Sequence, residues 1–483
     1  MKRIIGLLAA CMLALSIAQP ITYADTEPSF SQESIYDLLV DRFNNGLGTN
    51  DINVDTKDLN AFNGGDFAGI INRLQHLIDM QFTMISVGPV FSTASYDGKQ
   101  VLDYSEIEPH FGTEEEFTGL IKEMHDNELK IMTDFPLGGV SSDHIWANQL
   151  PTIPTNDGTI DWDLRKAEVQ EQVMDAAIQF VKTYEIDGIR LTNLDQADTN
   201  FLNDLIAALK EAREGLYVIT NQPSEAAFDS APAEERDQAI QNAYVQVNPD
   251  SSSLDRFSNE DEKGLLQFDD LMGERFTYKM VELRQFPPTR WKAATTALFT
   301  LPGVPLVTYA TEIAVNGKEA PDTHPLFNFK TDMELKDWIG NLNQLRNESE
   351  TLRSGDFKIL HNQDGFTVFE RSSEKEKWII AINNTSELQS LEIDPSIIGE
   401  KKKLRGVLDQ DLIKETKDGE YHVVLDRELA EIYIVEDDEG FNTPYLIASA
   451  LVYILFLSFL FAVLRKGRQR RRDEALKEKQ SKE

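Results

Sequence analysis

Arg190 and Thr192 stand two residues apart in the run Asp187–Asp198, DGIRLTNLDQAD. In a strand that spacing puts both side chains on one face. A guanidinium holds and orients acidic groups, whereas a Thr hydroxyl is a poor nucleophile without an adjacent base. Three carboxylates close in sequence to the expected strand ends, Asp195, Asp198 and Glu225, lie three or more residues beyond them and read as solvated loop charges. A second constellation gathers Asn45, Asn50, Asp51 and Asp66 with the carbonyl of Gly64. These are hard oxygen ligands of the kind calcium takes. The same residues are ordinary turn formers, and NNG and TND are common turn words, so both readings stand.

Chemistry at Arg190 needs a scaffold. Ile189 to Leu191 is short, apolar and partly β-branched, and it follows the helical pattern Glu168 to Tyr184 and Gly188, as expected of a strand fed by a crossover helix in a parallel sheet. Further strands are expected within Ser34 to Phe43 and at Thr83 to Phe91, Lys130 to Phe135, Leu216 to Asn221 and Pro305 to Ala310. Less regular ones fall at Ala243 to Val247 and Met280 to Arg284. Helical spacing recurs through Phe67, Ile70, Ile71, Leu74, Leu77 and Ile78, and in Glu114 to Asn127, Thr199 to Glu214 and Arg290 to Leu301. Eight strand and helix units predict an α/β fold of the (β/α)8 TIM barrel type. From Asp356 to Glu436 short alternating runs such as FTVFER and KWIIAIN predict a small antiparallel β domain.

The chain has 483 residues, 41% hydrophobic, and 82 acidic against 47 basic side chains, which suits a globular core. Such an acidic surface repels nucleic acid and favours solubility. Lys2 and Arg3, an apolar run and Thr-Tyr-Ala at the start match a secretory signal. The single cysteine, Cys11, also ends LAAC, which fits a lipoprotein motif as an alternative. Tyr445 to Leu464 carries no charge and is followed by RKGRQRRR, the pattern of a span with a cytoplasmic tail. The expected organisation is a signal peptide at 1–24, a barrel at 25–350, a C-terminal β-sandwich at 351–437, a transmembrane helix at 445–464 and a basic tail at 465–483. That places a single-pass protein in the cell membrane, with its ectodomain outside and its C-terminus cytoplasmic, as expected of a bacterial protein.

Several motifs run in a familiar order. VDRFNNG with NGGDFAGI, LDYSEIEPHFGTEEEF, IDWDLRKAEV, LFTLPGVPLVTYATEI, and GDFKIL with WIIAINN together resemble the α-amylase family of glycoside hydrolases, family 13, from about Ser34 to Glu436. The resemblance implies a barrel whose fourth strand reads Gly-Phe-Arg-x-Asp. Arg190 and Asp134 match and are implied in substrate binding, but Thr192 stands where the nucleophilic Asp belongs. Asn221 stands where the acid/base Glu is expected. Gln285 and Phe286 align with the seventh-strand His-Asp, and Gly138 and Gly139 replace an Asn and a His. Lys99 takes the place of an aromatic platform, for which Tyr96, Tyr104, Trp146 and Trp162 are scattered candidates. Some relatives bind calcium at the first loop, where Leu47 falls on a ligand position. The expectation is a membrane-anchored extracellular pseudoenzyme with no catalytic residue, binding α-glucan or another carbohydrate or an envelope partner. The alternatives are an active glycoside hydrolase on α-linked glucans and a scaffold of the cell envelope that uses no sugar.

Overall fold

The computed structural model describes residues 29–232, 234–258, 264–438 and 443–480. The signal-peptide reading of residues 1–24, with Cys11, lies outside the described residues. Seven parallel strands form one sheet, in the order Leu265–Leu266, Val304–Thr308, Ile35–Asp37, Met84–Ser86, Lys130–Pro136, Gly188–Thr192 and Tyr217–Thr220. Their side chains are apolar toward both the interior and the helices: Ile35, Met84, Ile131, Ile189, Leu191 and Val218 are all buried. Such strands are stable only when both faces are covered.

The covering helices begin where the sequence supplies caps. Thr113 and Glu116 form a reciprocal capping box on Glu114–Asp126, and Asp198 accepts the Phe201 N–H at 2.8 Å ahead of Thr199–Ala212. Each cap satisfies N–H groups that the first helical turn leaves open. Ala167–Thr183 buries Val169, Val173, Ala177, Phe180 and Val181 along one stripe. Strands and helices therefore alternate as in a (β/α)8 barrel.

Two expected strands are elsewhere. Ala243 to Val247 falls on the end of the helix Glu234–Tyr244 and the turn after it, and Met280 to Arg284 on the end of the helix Phe276–Glu282. The strand before Val304–Thr308 is instead the two-residue Leu265–Leu266. The sixth position is reduced to a single parallel bridge between Ile219 and Ser230, with Asp229 N donating to Val218 O at 2.9 Å and Thr220 N to Ser230 O at 3.1 Å. Pro232 follows two residues later, and a proline without an N–H cannot extend a ladder. Among the described residues, no strand closes the sheet between Ser230 and Leu265.

By its contacts the chain divides into two units. The first runs to Gln389 and adds Leu425–Ala430, so it includes the antiparallel strands Asp356–Gln363, Phe366–Ser372 and Lys377–Asn383. By contacts these three strands group with the barrel. Buried arginines hold them there: Arg371 Nη1 donates to Thr300 O at 2.6 Å, and Arg290, buried in the helix Pro287–Thr300, pairs with Glu428 at 2.9 Å and donates to Asn384.

The second unit contains Ser390–Val424 and the chain from Glu431. Within it Lys402–Gly406 pairs antiparallel with Leu412–Lys414 and with the strand ending at Asp437. The buried Glu431 carboxylate organises its turn by accepting the N–H groups of Val407, Leu408 and Asp409 at 3.1, 2.8 and 2.7 Å. This unit ends in the helix Thr443–Gln480, whose stretch Leu446–Ala475 is long and apolar enough to cross a membrane and has no part buried.

Candidate functional site

Arg190 lies at the C-terminal mouth of the barrel. The register sets Asp134 directly opposite it on the neighbouring strand, and paired residues of adjacent strands share a face. Arg190 Nε reaches Asp134 Oδ1 at 2.7 Å and Nη2 reaches Oδ2 at 2.8 Å. The rest of the fork turns to Asp37, at the end of the first strand, with Nη2 to Oδ1 at 2.9 Å and Nη1 to Oδ2 at 3.1 Å. All three side chains are buried. Burial works against the Arg190 charge, but the Asp134 and Asp37 carboxylates more than offset it and hold the guanidinium above its ordinary value.

This triad floors a cleft of about 110 Å³, which is also lined by Thr192, Asn221, Asp97, Lys99, Gln267 and Asp270. Thr192 is the last residue of its strand, and Asn221 immediately follows the strand Tyr217–Thr220. The cleft shares Asn221, Gln267, Asp270 and Met272 with a wider chamber of about 720 Å³, reaching Pro232, Asp237 and Leu265 where the sheet is open. A cleft of carboxylates, amides and one ammonium suits hydroxyl-rich ligands, because each hydroxyl both donates and accepts.

Gly138 and Gly139 follow the strand Lys130–Pro136 and are locked by their neighbours. Gly139 has φ +63, and a Cβ there would lie 2.5 Å from Asn193 Nδ2; one on Gly138 would lie 2.5 Å from Asp161 Oδ1. Asn193 Nδ2 donates to Gly138 O at 2.6 Å, and Gly139 N donates to Asp161 Oδ1 at 2.8 Å. Two loops are clamped together where the resemblance would put an Asn and a His.

The seventh-strand assignment of Gln285 and Phe286 is corrected. Phe286 precedes the helix Pro287–Thr300 and is 65% exposed, Gln285 Oε1 accepts the Val247 N–H at 3.2 Å, and neither lines the cleft. The strand there is Leu265–Leu266, so Asp269 and Asp270 hold the equivalent place. Asp269 is buried against Arg275 at 2.9 Å, and Asp270 lines the cleft. Sequence reading missed Asp37, Gln267 and Asp270; the signal for the last two was GLLQFDD, an apolar pair between a glycine and two carboxylates.

None of Asp195, Asp198 and Glu225 lines the cleft; Asp198 is a helix cap, as described, and Asp195 accepts from Gln222 Nε2 at 3.3 Å. The aromatic candidates are largely internal. Tyr104 and Trp162 are buried, with Trp162 Nε1 donating to Tyr104 Oη at 3.1 Å and Trp146 packed on both rings. Tyr96 lies under the Arg42 guanidinium, 3.9 Å from its ring centre, and donates its hydroxyl to His324 Nδ1 at 2.8 Å.

The oxygen-rich first loop is tied together by its own donors. Asn45 Nδ2 donates to Asp51 Oδ1 at 2.8 Å, beside Gly64, whose φ is +93. Asp66 caps the helix Phe67–Asn72 and accepts from Gly69 N, from Gly46 N at 3.0 Å, from Leu47 N at 2.8 Å and from Asn50 Nδ2 at 3.3 Å. Four donors occupy the lone pairs of a carboxylate. Asn50 also donates to His110 O at 2.9 Å, leaving its Oδ1 buried without a partner. Asp66 is committed to N–H groups, so the five residues do not fit a calcium site as a set.

The residues before the fourth strand match the family model for the α-amylase catalytic domain at 37–157, and 355–433 match that for the α-amylase C-terminal domain. An Anoxybacillus α-amylase structure is 32% identical, covering 86% of this chain and all of the other with a TM-score of 0.81. The chain belongs to the α-amylase family, glycoside hydrolase family 13. A Geobacillus thermoleovorans α-amylase complexed with acarbose is 29% identical, over 85% of this chain and all of the other, with a TM-score of 0.80. A cyclomaltodextrinase from Thermoanaerobacter pseudethanolicus is 25% identical over 73% of this chain and 70% of that protein. The catalytic-domain match ends at residue 157, ahead of Thr192, Asn221 and Asp270.

Proposed function

We propose that this family member binds α-glucan or a related carbohydrate at its barrel mouth without hydrolysing it, outside the cell and anchored in the membrane. The observation that carries this reading is the pair of side chains that the fourth and fifth strands bring to the cleft, Thr192 and Asn221. Retaining hydrolysis needs one carboxylate to attack and a second carboxyl to protonate the leaving oxygen, about 5 to 5.5 Å apart. An Asn amide has no acidic proton to give and a Thr hydroxyl without a base attacks slowly. Asp37 and Asp134 are tied to Arg190, which keeps them as hydroxyl acceptors. The acarbose complex of the Geobacillus relative supports a carbohydrate ligand. Anchoring is supported by the exposed apolar helix and the arginines behind it.

An active hydrolase is the second reading, and Asp270 favours it, since this carboxylate lines the cleft outside the Arg190 triad. The full chain in detergent, titrated calorimetrically with maltooligosaccharides and assayed in parallel for new reducing ends, separates the readings. Heat of binding without products supports the proposal. Products above a buffer control support the enzyme, and neither signal leaves an envelope scaffold that uses no sugar.

A further inference from the structure

At the opposite end of the barrel, the strand N-termini meet a second cavity of about 350 Å³. Tyr217 and Val304, each the first residue of its strand, line one side, and Arg353 and Arg371 line the other. This end of such barrels serves stability rather than catalysis, yet the wall is charged.

Arg371 is 1% exposed. Its terminal nitrogens donate to the carbonyls of Thr300, Thr351 and Gly355 at 2.6, 3.2 and 3.1 Å, while its Nε has no partner. Arg353 donates to Asn347 O, and its Nε is likewise buried and unpartnered. A third guanidinium, Arg346, donates to the carbonyls of Ser31 and Gly303 at 3.0 and 3.3 Å, both residues of the cavity wall. Among the described residues none of the three arginines forms an ion pair, although buried charges are ordinarily paired. The one carboxylate in the wall, Asp229, is already taken by Lys210 Nζ at 2.6 Å and Val218 N at 2.7 Å. Burial, with Arg353 and Arg371 close by, lowers Arg346 to about 9, and burial lowers Arg371 to about 10.

We propose that this cavity binds a small oxyanion, a phosphate or a carboxylate, held by Arg353 and Arg371 and flanked by the hydroxyls of Ser29, Ser31 and Ser354. The unpartnered Nε–H groups of the two guanidiniums are charge-assisted donors that suit either group, and an anion there relieves the mutual repulsion of three cations. The inference is independent of the carbohydrate reading. Inorganic phosphate carries this chemistry in its simplest form.

The test is the melting temperature of the full chain in detergent, with inorganic phosphate against sodium chloride of equal ionic strength. The expected result is a rise with phosphate alone, with apparent affinity weakened about tenfold or more in Arg353→Gln. Arg371→Lys provides a second variant that keeps a charge while losing the Nε donor. Silence of the wild type, or full stabilisation surviving in both arginine variants, overturns the proposal.

Discussion

Arg190 and Asp134 face each other across two adjacent barrel strands and are joined by two parallel hydrogen bonds, at 2.7 and 2.8 Å. The same guanidinium holds Asp37, so its removal strands two buried carboxylates. Arg190→Met is expected to lower stability by about 3 to 5 kcal/mol, the range for breaking a buried pair from one side. Arg190→Lys recovers only part of this, because a point charge cannot serve two forks. Urea unfolding of the two variants checks both, and a loss under about 1 kcal/mol, as for solvated pairs, would contradict a dry triad.

Asp270 brings a carboxylate to the cleft from beyond the strand Leu265–Leu266. Thr192→Asp with Asn221→Glu adds the other two groups that the family chemistry requires. The expected outcome is maltoside hydrolysis above the wild type by a factor on the order of 10², the low end for a positioned general acid. A double variant that binds maltooligosaccharide yet remains at the buffer rate would show that the clamped Gly138 and Gly139 withhold something essential.

His324 makes folding sensitive to acid. Its Nε2 lies 2.7 Å from the carbonyl of Leu271, which can only accept, so Nε2 carries the proton and Nδ1 accepts from the Tyr96 hydroxyl. Burial pushes this imidazole down to about 4, and burial does the same to His144. The unfolded chain, titrating near 6.5, then binds more protons than the folded one between the two values. Stability is expected to fall as pH drops from about 6.5 to about 4, by on the order of 3 kcal/mol for His324 alone, and to level off below. Melting curves across that window should slope less in His324→Gln; an unchanged slope would assign the effect to other groups.

Asp66 is expected to matter with or without calcium. Asp66→Ala removes a helix cap and leaves Gly46 and Leu47 N–H groups without their acceptor, a loss of about 2 kcal/mol or more. Wild-type melting is expected to be the same in chelator and in millimolar calcium. A calcium-dependent rise that Asp66→Ala abolishes would mean that the loop rearranges around the ion, since a ligand held only by the native state stabilises it.

Topology is testable on intact cells with any wall removed. External protease should destroy the barrel and spare an epitope tag placed after Glu483, as expected when the basic segment after Leu464 stays inside. Loss of the tag with survival of the barrel would reverse the orientation.

The sequence was most readable where chemistry and periodicity coincide. Arg190 and Thr192 share a strand face as their spacing requires, and Glu114–Asp126 forms the helix that its periodicity announces. It misled where the apolar run was short. Ala243 to Val247 alternates like a strand but finishes a helix, while Leu265–Leu266 is too brief to register in any window. Misplacing that strand moved the seventh-strand position onto Gln285 and Phe286 and hid Asp270. Asp37 was invisible for another reason: its partner, Arg190, lies 153 residues away, and nothing local marks their encounter.

Among the described residues, the single bridge at Ser230 leaves the barrel with a seam. A closed ring of strands resists shear because each strand is gripped on both sides, whereas the strands Tyr217–Thr220 and Leu265–Leu266 flank an interruption. Edge amides open more readily than central ones. Asn221 follows the first of these strands and Gln267 and Asp270 follow the second, so the two walls of the cleft sit on opposite lips of the seam. The strands that carry Asp37, Asp134 and Arg190 lie away from the seam, so local opening there falls on Asn221, Gln267 and Asp270 and leaves the triad in place.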